Sequence, residues 1–168
     1  MNGLIKYGAA LAALIAISAP AAAVTPATQA TATAKIYKPL TITATQNLDF
    51  GVIVLAGASF TGESVAMSTT GSVTCGTTAG DLTCSGSPRP ATYHLTGTAN
   101  ANVTITSPNF TLANGSATLA FAPTFASTVQ LGAAGTFDVN LGGTVSGLSN
   151  TTTDGVYTGT FQVTANYQ

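Results

Sequence analysis

The chain has 168 residues, with only 4 Lys or Arg, 5 Asp or Glu and a single His. So few cations leave no basic patch to neutralise phosphates, which argues against nucleic acid as a partner. Thr, Val and Gly dominate, with Asn and Gly at the breaks, which speaks against helices and for short strands joined by tight turns.

Met1 to Lys6 carries one positive side chain plus the amino terminus. Tyr7 to Ser18 is an unbroken small and apolar run, Pro20 breaks it, and Ala21-Ala22-Ala23 offers small residues for cleavage. This is the layout of a secretory signal peptide over residues 1–23. The run is too short to span a bilayer comfortably. A mature chain of Val24 to Gln168 is expected, exported and with no integral membrane segment after cleavage. It carries Lys35, Lys38 and Arg89 against Asp49, Glu63, Asp81, Asp138 and Asp154, a net charge of −2. About 130 residues are enough to bury a core that folds alone.

Residues 24–38 form an N-terminal extension with few bulky side chains. Ala30, Ala32, Ala34 and Ile36 alternate with Thr31, Thr33 and Lys35, so a period of two predicts an extended strand with one small apolar face. The main domain, 39–168, follows. Leu40, Ile42 and Ala44 alternate with Thr41, Thr43 and Thr45, and Asn47 to Gly51 bends the chain. Further strands are expected within 63–74, 90–98 and 102–106, with two more in 110–125 broken at Asn114-Gly115. Between Thr136 and Val145, Phe137, Val139, Leu141 and Val145 face one way. Asn150 to Gly155 is a polar turn. In the final strand Tyr157, Phe161, Val163, Ala165 and Tyr167 share one face, with Gly155 and Gly159 in the same register. A slip of one residue would move that whole apolar set into water, so the register is well specified. Short strands at this spacing predict an antiparallel sandwich.

Cys75 and Cys84 are the only cysteines. In an exported chain they are expected to form a disulfide. A hairpin turning at Ala79-Gly80 would pair 75 with 84 at a non-hydrogen-bonded position, with Cα atoms about 4.5 Å apart, within bonding range. Closing so small a loop contributes roughly 2.5–3 kcal/mol in the chain-entropy picture. Two thiols and one distant His make no metal site, and no cofactor is expected.

Catalysis finds little support. His94 reads as a polar position on an alternating strand, and the carboxylates read as scattered through turns, Asp49 and Asp154 bonding their own backbone. No Gly-x-Ser-x-Gly elbow precedes a helix. The chain is therefore read as non-enzymatic.

Six segments together resemble the DUF4402 family, secreted proteins of Gram-negative bacteria without an assigned activity. They are Pro39-Leu40-Thr41-Ile42-Thr43, Leu48-Asp49-Phe50-Gly51, Pro90 to Gly97, Leu141-Gly142-Gly143-Thr144-Val145, Gly155-Val156-Tyr157-Thr158-Gly159 and Val163 to Gln168. The chain also resembles chaperone–usher pilins, which end in an alternating strand with a penultimate tyrosine and a glycine fourteenth from the end. Tyr167 and Gly155 stand at those positions. That resemblance implies an immunoglobulin-like sandwich lacking its last strand. It implies a periplasmic chaperone contacting Gly155, Tyr157, Gly159, Phe161, Val163 and Tyr167, and an outer-membrane usher. It implies identical or related subunits joined through a donor strand carrying Ala30, Ala32, Ala34 and Ile36. The disulfide departs from the common pilin pattern, which ties the first strand to a later one.

The expectation is a surface-fibre subunit that passes through the periplasm to the cell surface. The second reading is a non-polymerising secreted sandwich that binds a glycan or another surface protein.

Overall fold

The computed structural model describes residues 27–168. The expected signal peptide, and residues 24–26 of the extension, lie outside the described residues. The chain divides into two compact units between Lys35 and Ile36. In the first, residues 27–35 form no helix or strand and are exposed throughout. The strand expected from their alternation is not formed among the described residues.

The second unit, Ile36–Gln168, is all-β. Its strands are β1 (Thr41–Gln46), β2 (Val52–Leu55), β3 (Glu63–Met67), β4 (Val73–Cys75), β5 (Leu82–Ser85) and β6 (Ala91–Thr96). Then come β7 (Asn102–Thr106), β8 (Phe110–Asn114), β9 (Ala117–Thr124), β10 (Thr128–Gln130), β11 (Thr136–Leu148) and β12 (Thr164–Tyr167). Every ladder among them is antiparallel, consistent with the expected immunoglobulin-like sandwich.

Two cores lie along its length. In the first, β1-β6 and the start of β11 face β10-β7-β12 across Leu95, Val103, Ile105, Val129, Leu131 and Val139. In the second, β4-β3, the end of β11 and β9-β8 enclose Phe60, Val65, Leu82, Leu119, Phe121, Val145 and Leu148 together with the β2–β5 ribbon. Full burial of each large side chain stabilises by roughly 1.5–3 kcal/mol. The period of two does the sorting: Val103 and Ile105 point inward on β7, Leu119 and Phe121 on β9.

β11 serves both cores. It pairs with β6 from Thr136↔Thr96 to Leu141↔Ala91, then with β3 and β9 beyond Gly142. A side chain at Gly142 would collide with the backbone of Met67 and Ser68, so the glycine lets the strands close around the crossover. Val139, Leu141 and Val145 are buried as expected, but Phe137 is 40% exposed because it lies near the strand's open end.

The final strand is shorter than its alternation suggests. Only Thr164–Tyr167 pairs as a strand, with β7, although side chains alternate in and out from Phe161 to Gln168. β7 gives way to β8 across residues 107–109, so the ladder with β12 ends at Thr106. A single bridge, Ala113↔Thr158, fastens the lower part of the segment.

Candidate functional site

β1 and β12 are both terminal strands: β1 pairs with β6 and β12 with β7. They lie beside each other at one margin of the first core. Each outer edge therefore presents backbone N–H and C=O groups that no ladder among the described residues engages. Leu40, Ile42, Val163, Ala165 and Tyr167 all pack into the first core from this margin, and all remain only half-buried. The opposite margin, formed by β10 and β11, behaves differently. There Val129, Leu131 and Val139 are 7%, 0% and 2% exposed. The two margins thus differ in depth of burial, although β10 is a terminal strand too and Phe137, at the start of β11, is 40% exposed.

The penultimate residue organises one end of the open margin. The Tyr167 hydroxyl accepts the Thr98 backbone N–H at 2.7 Å and donates to the Lys38 carbonyl at 2.9 Å. Lys38 N–H donates to Thr98 Oγ1 at 2.6 Å. The Tyr37 ring stacks on Tyr167 with centroids 4.4 Å apart. Gly97 leaves the space that the hydroxyl fills; a Cβ there would overlap it. The end of the chain is thereby tied to the entry of β1.

The other residues expected in the final strand line the segment leading to β12. Gly155 adopts φ +130°, and a side chain there would strike the Asn114 amide, which donates to the Asp154 carbonyl at 2.9 Å. Tyr157 is half-buried against the second core, and its hydroxyl donates to the Thr153 carbonyl. Gly159 lets the chain press against β8: a Cβ would sit 2.7 Å from the Thr111 carbonyl. Phe161 stacks on Phe110 at 4.8 Å and meets Tyr93 edge-on at 6.4 Å. Stacked and edge-to-face pairs of this kind add about 0.5–1.5 kcal/mol beyond burial. Ala30, Ala32 and Ala34 are exposed and in no ladder, and Ile36 is 88% exposed.

Cys75 and Cys84 form the expected disulfide, with Cα atoms 5.8 Å apart. The expected turn at Ala79-Gly80 forms, with the Asp81 N–H directed at the Thr78 carbonyl at 3.4 Å, but the expected ladder between 75–77 and 82–84 does not. β4 pairs with β3 and β5 pairs with β2, so the bond ties two sheets together. A buried carboxylate lies beside the bond. Glu63 shares the inward face of β3 with Val65 and Met67 and is 4% exposed. It accepts the backbone N–H groups of Thr77 and Thr78 and the Thr77 hydroxyl. These bonds hold the two residues that follow Gly76, which adopts φ +73°. The same bonds favour the ionised form and hold the Glu63 carboxyl at about 2, below its ordinary 4.5.

The reading of the carboxylates as turn residues is thus corrected at two positions. Glu63 is buried in β3, and Asp138 lies on β11 directly across from His94, whose Nδ1–H donates to it at 2.5 Å. Register places Thr43, His94 and Asp138 in one row across β1, β6 and β11. The row is open to water, with the His94 and Asp138 side chains 42% and 66% exposed, so the pair is worth about 0–1 kcal/mol. Asp49 does cap its own turn, accepting the Gly51 N–H at 2.9 Å. No group of three His, Cys, Asp or Glu among the described residues could hold a metal. No helix among them is long and apolar enough to cross a membrane.

Sequence reasoning missed Glu63 and the partners of Tyr167. The first was available: Glu63, Val65 and Met67 share a parity, so a carboxylate had to face inward or the strand had to end. The second was not, because Thr98 lies in a turn whose contacts depend on the tertiary fold.

A family model described as a domain of unknown function (DUF4402) matches residues 40–167. No curated protein and no solved structure matches the chain.

Proposed function

The chain belongs to the DUF4402 family, and on that premise we propose that it is a structural subunit of a surface fibre, joined to its neighbours by donated strands. The observation that supports the reading is a difference in burial across the first core: Val129, Leu131 and Val139 are buried on one side, while Leu40, Ile42, Val163, Ala165 and Tyr167 are only half-buried along β1 and β12. A strand laid along the open margin would pair unused backbone groups and cover Leu40, Ile42, Val163 and Ala165. The extension supplies a suitable donor. Its described residues, 27–38, belong to no strand, its apolar residues alternate, and alanines suit a margin already partly filled. A donor passed from one copy to the next makes a head-to-tail contact that does not close, so it grows a filament. Before assembly the same edges invite unwanted pairing, which is the physical case for a periplasmic chaperone on the 155–167 segment.

Deletion tests the reading. The mature chain is expected to form a ladder of multimers that resists mild detergent. Removing residues 24–36, while keeping Tyr37 and Lys38 for Tyr167, is expected to leave monomer. A ladder that persists in the truncated protein, or a mature chain that stays monomeric beside its export machinery, speaks against the fibre. Glycan binding by that monomer would favour the second reading.

A further inference from the structure

We propose that Glu63 is a positioning residue for the Cys75–Cys84 disulfide, gathering the turn after Cys75 so that the two thiols meet. This proposal is independent of the fibre reading.

The topology creates the need. Because β4 and β5 pair with different strands, no ladder holds the cysteines side by side. In the reduced protein their separation is governed by the β2–β5 and β3–β4 ladders and by the connecting loop, 76–81. The first part of that loop is held by Glu63, through both backbone N–H groups of Thr77 and Thr78 and through the Thr77 hydroxyl. A further bond, from Gly76 N–H to the Ser64 carbonyl, brings the turn against β3. Glu63 is the one charged residue buried among the described residues. An acceptor-only carboxylate surrounded by donors is well matched; an uncharged amide would set its own N–H groups against them.

Oxidation removes two protons and two electrons from the thiols as the sulfur–sulfur bond forms. With glutathione disulfide as the oxidant, one glutathione leaves at each of two exchange steps, giving two glutathione thiols. Both cysteines are half-buried, so the exchange is open to the reagent. The equilibrium constant measures how well the folded reduced chain presents its thiols to each other.

The test is that constant, read by alkylation and mass spectrometry of the folded protein in glutathione buffers. Glu63→Gln is expected to shift it toward the dithiol by roughly tenfold, and Thr77→Ala, which keeps the backbone bonds, by about threefold. Val103→Ala, in the other core, is expected to leave it unchanged although it lowers overall stability. A Glu63→Gln value within about twofold of the parent overturns the proposal. So does an equal shift in Val103→Ala, which would reduce Glu63 to a general stabiliser. If Glu63→Gln does not fold, Thr77→Ala decides: an unchanged constant overturns the proposal.

Discussion

At the scale of single residues, two side chains carry weight beyond their size. Tyr167 satisfies one backbone donor and one backbone acceptor with a single hydroxyl. Tyr167→Phe keeps the ring and its stacking on Tyr37 but leaves both groups without that partner. A loss of about 1–3 kcal/mol is expected in denaturant unfolding. Glu63 gives a pH signature. Its carboxyl ordinarily titrates near 4.5 and in the fold near 2. Between those values the unfolded chain takes up a proton that the folded chain refuses, so protons favour unfolding. The contribution is fully present above the ordinary value and lost as pH falls through that window toward 2. Unfolding free energies measured across it should decline in the parent, and the part of that decline due to this carboxyl should vanish in Glu63→Gln.

At the scale of elements, β11 is the spine. It changes partners at Gly142, where backbone from the β3 side leaves no room for a Cβ. Gly142→Ala is expected to cost about 3 kcal/mol or more, since the colliding atoms are main chain and cannot rotate away; thermal unfolding would read it. Strand-level features were legible where the period of two matched real burial, as in β7, β9 and most of β11. The hairpin at Asn114-Gly115 was also legible, because turn chemistry is local. The Cys75–Cys84 hairpin was misread for the converse reason. Gly80 and its neighbours do form the local turn, but the flanking strands pair with β3 and β2, partners distant in sequence, rather than with each other. The last strand was overextended because alternation reports which way side chains face, and Phe161 and Val163 face inward without any ladder behind them.

At the scale of the whole molecule, the layout was readable but its asymmetry was not. Composition and turn spacing indicate a β-sandwich; they do not show which margin buries its apolar residues more deeply, because that depends on how β10 and β12 flank β7. The extension's alternation was visible in sequence, and the lack of any strand among its described residues leaves it suited to serve elsewhere. A Lys at Ala32 would put a charge where the donated strand needs an apolar residue. Ala32→Lys is therefore expected to weaken multimers while leaving the unfolding midpoint of the monomer unchanged, since Ala32 is exposed there.

The most direct measurement adds a peptide of residues 24–36 to the protein truncated before Tyr37 and follows hydrogen exchange at β1 and β12. The account predicts that the peptide binds and slows exchange at amides along their outer edges, while β10 and β11 are unaffected. Edges already protected without peptide, and unchanged when it is added, would contradict it.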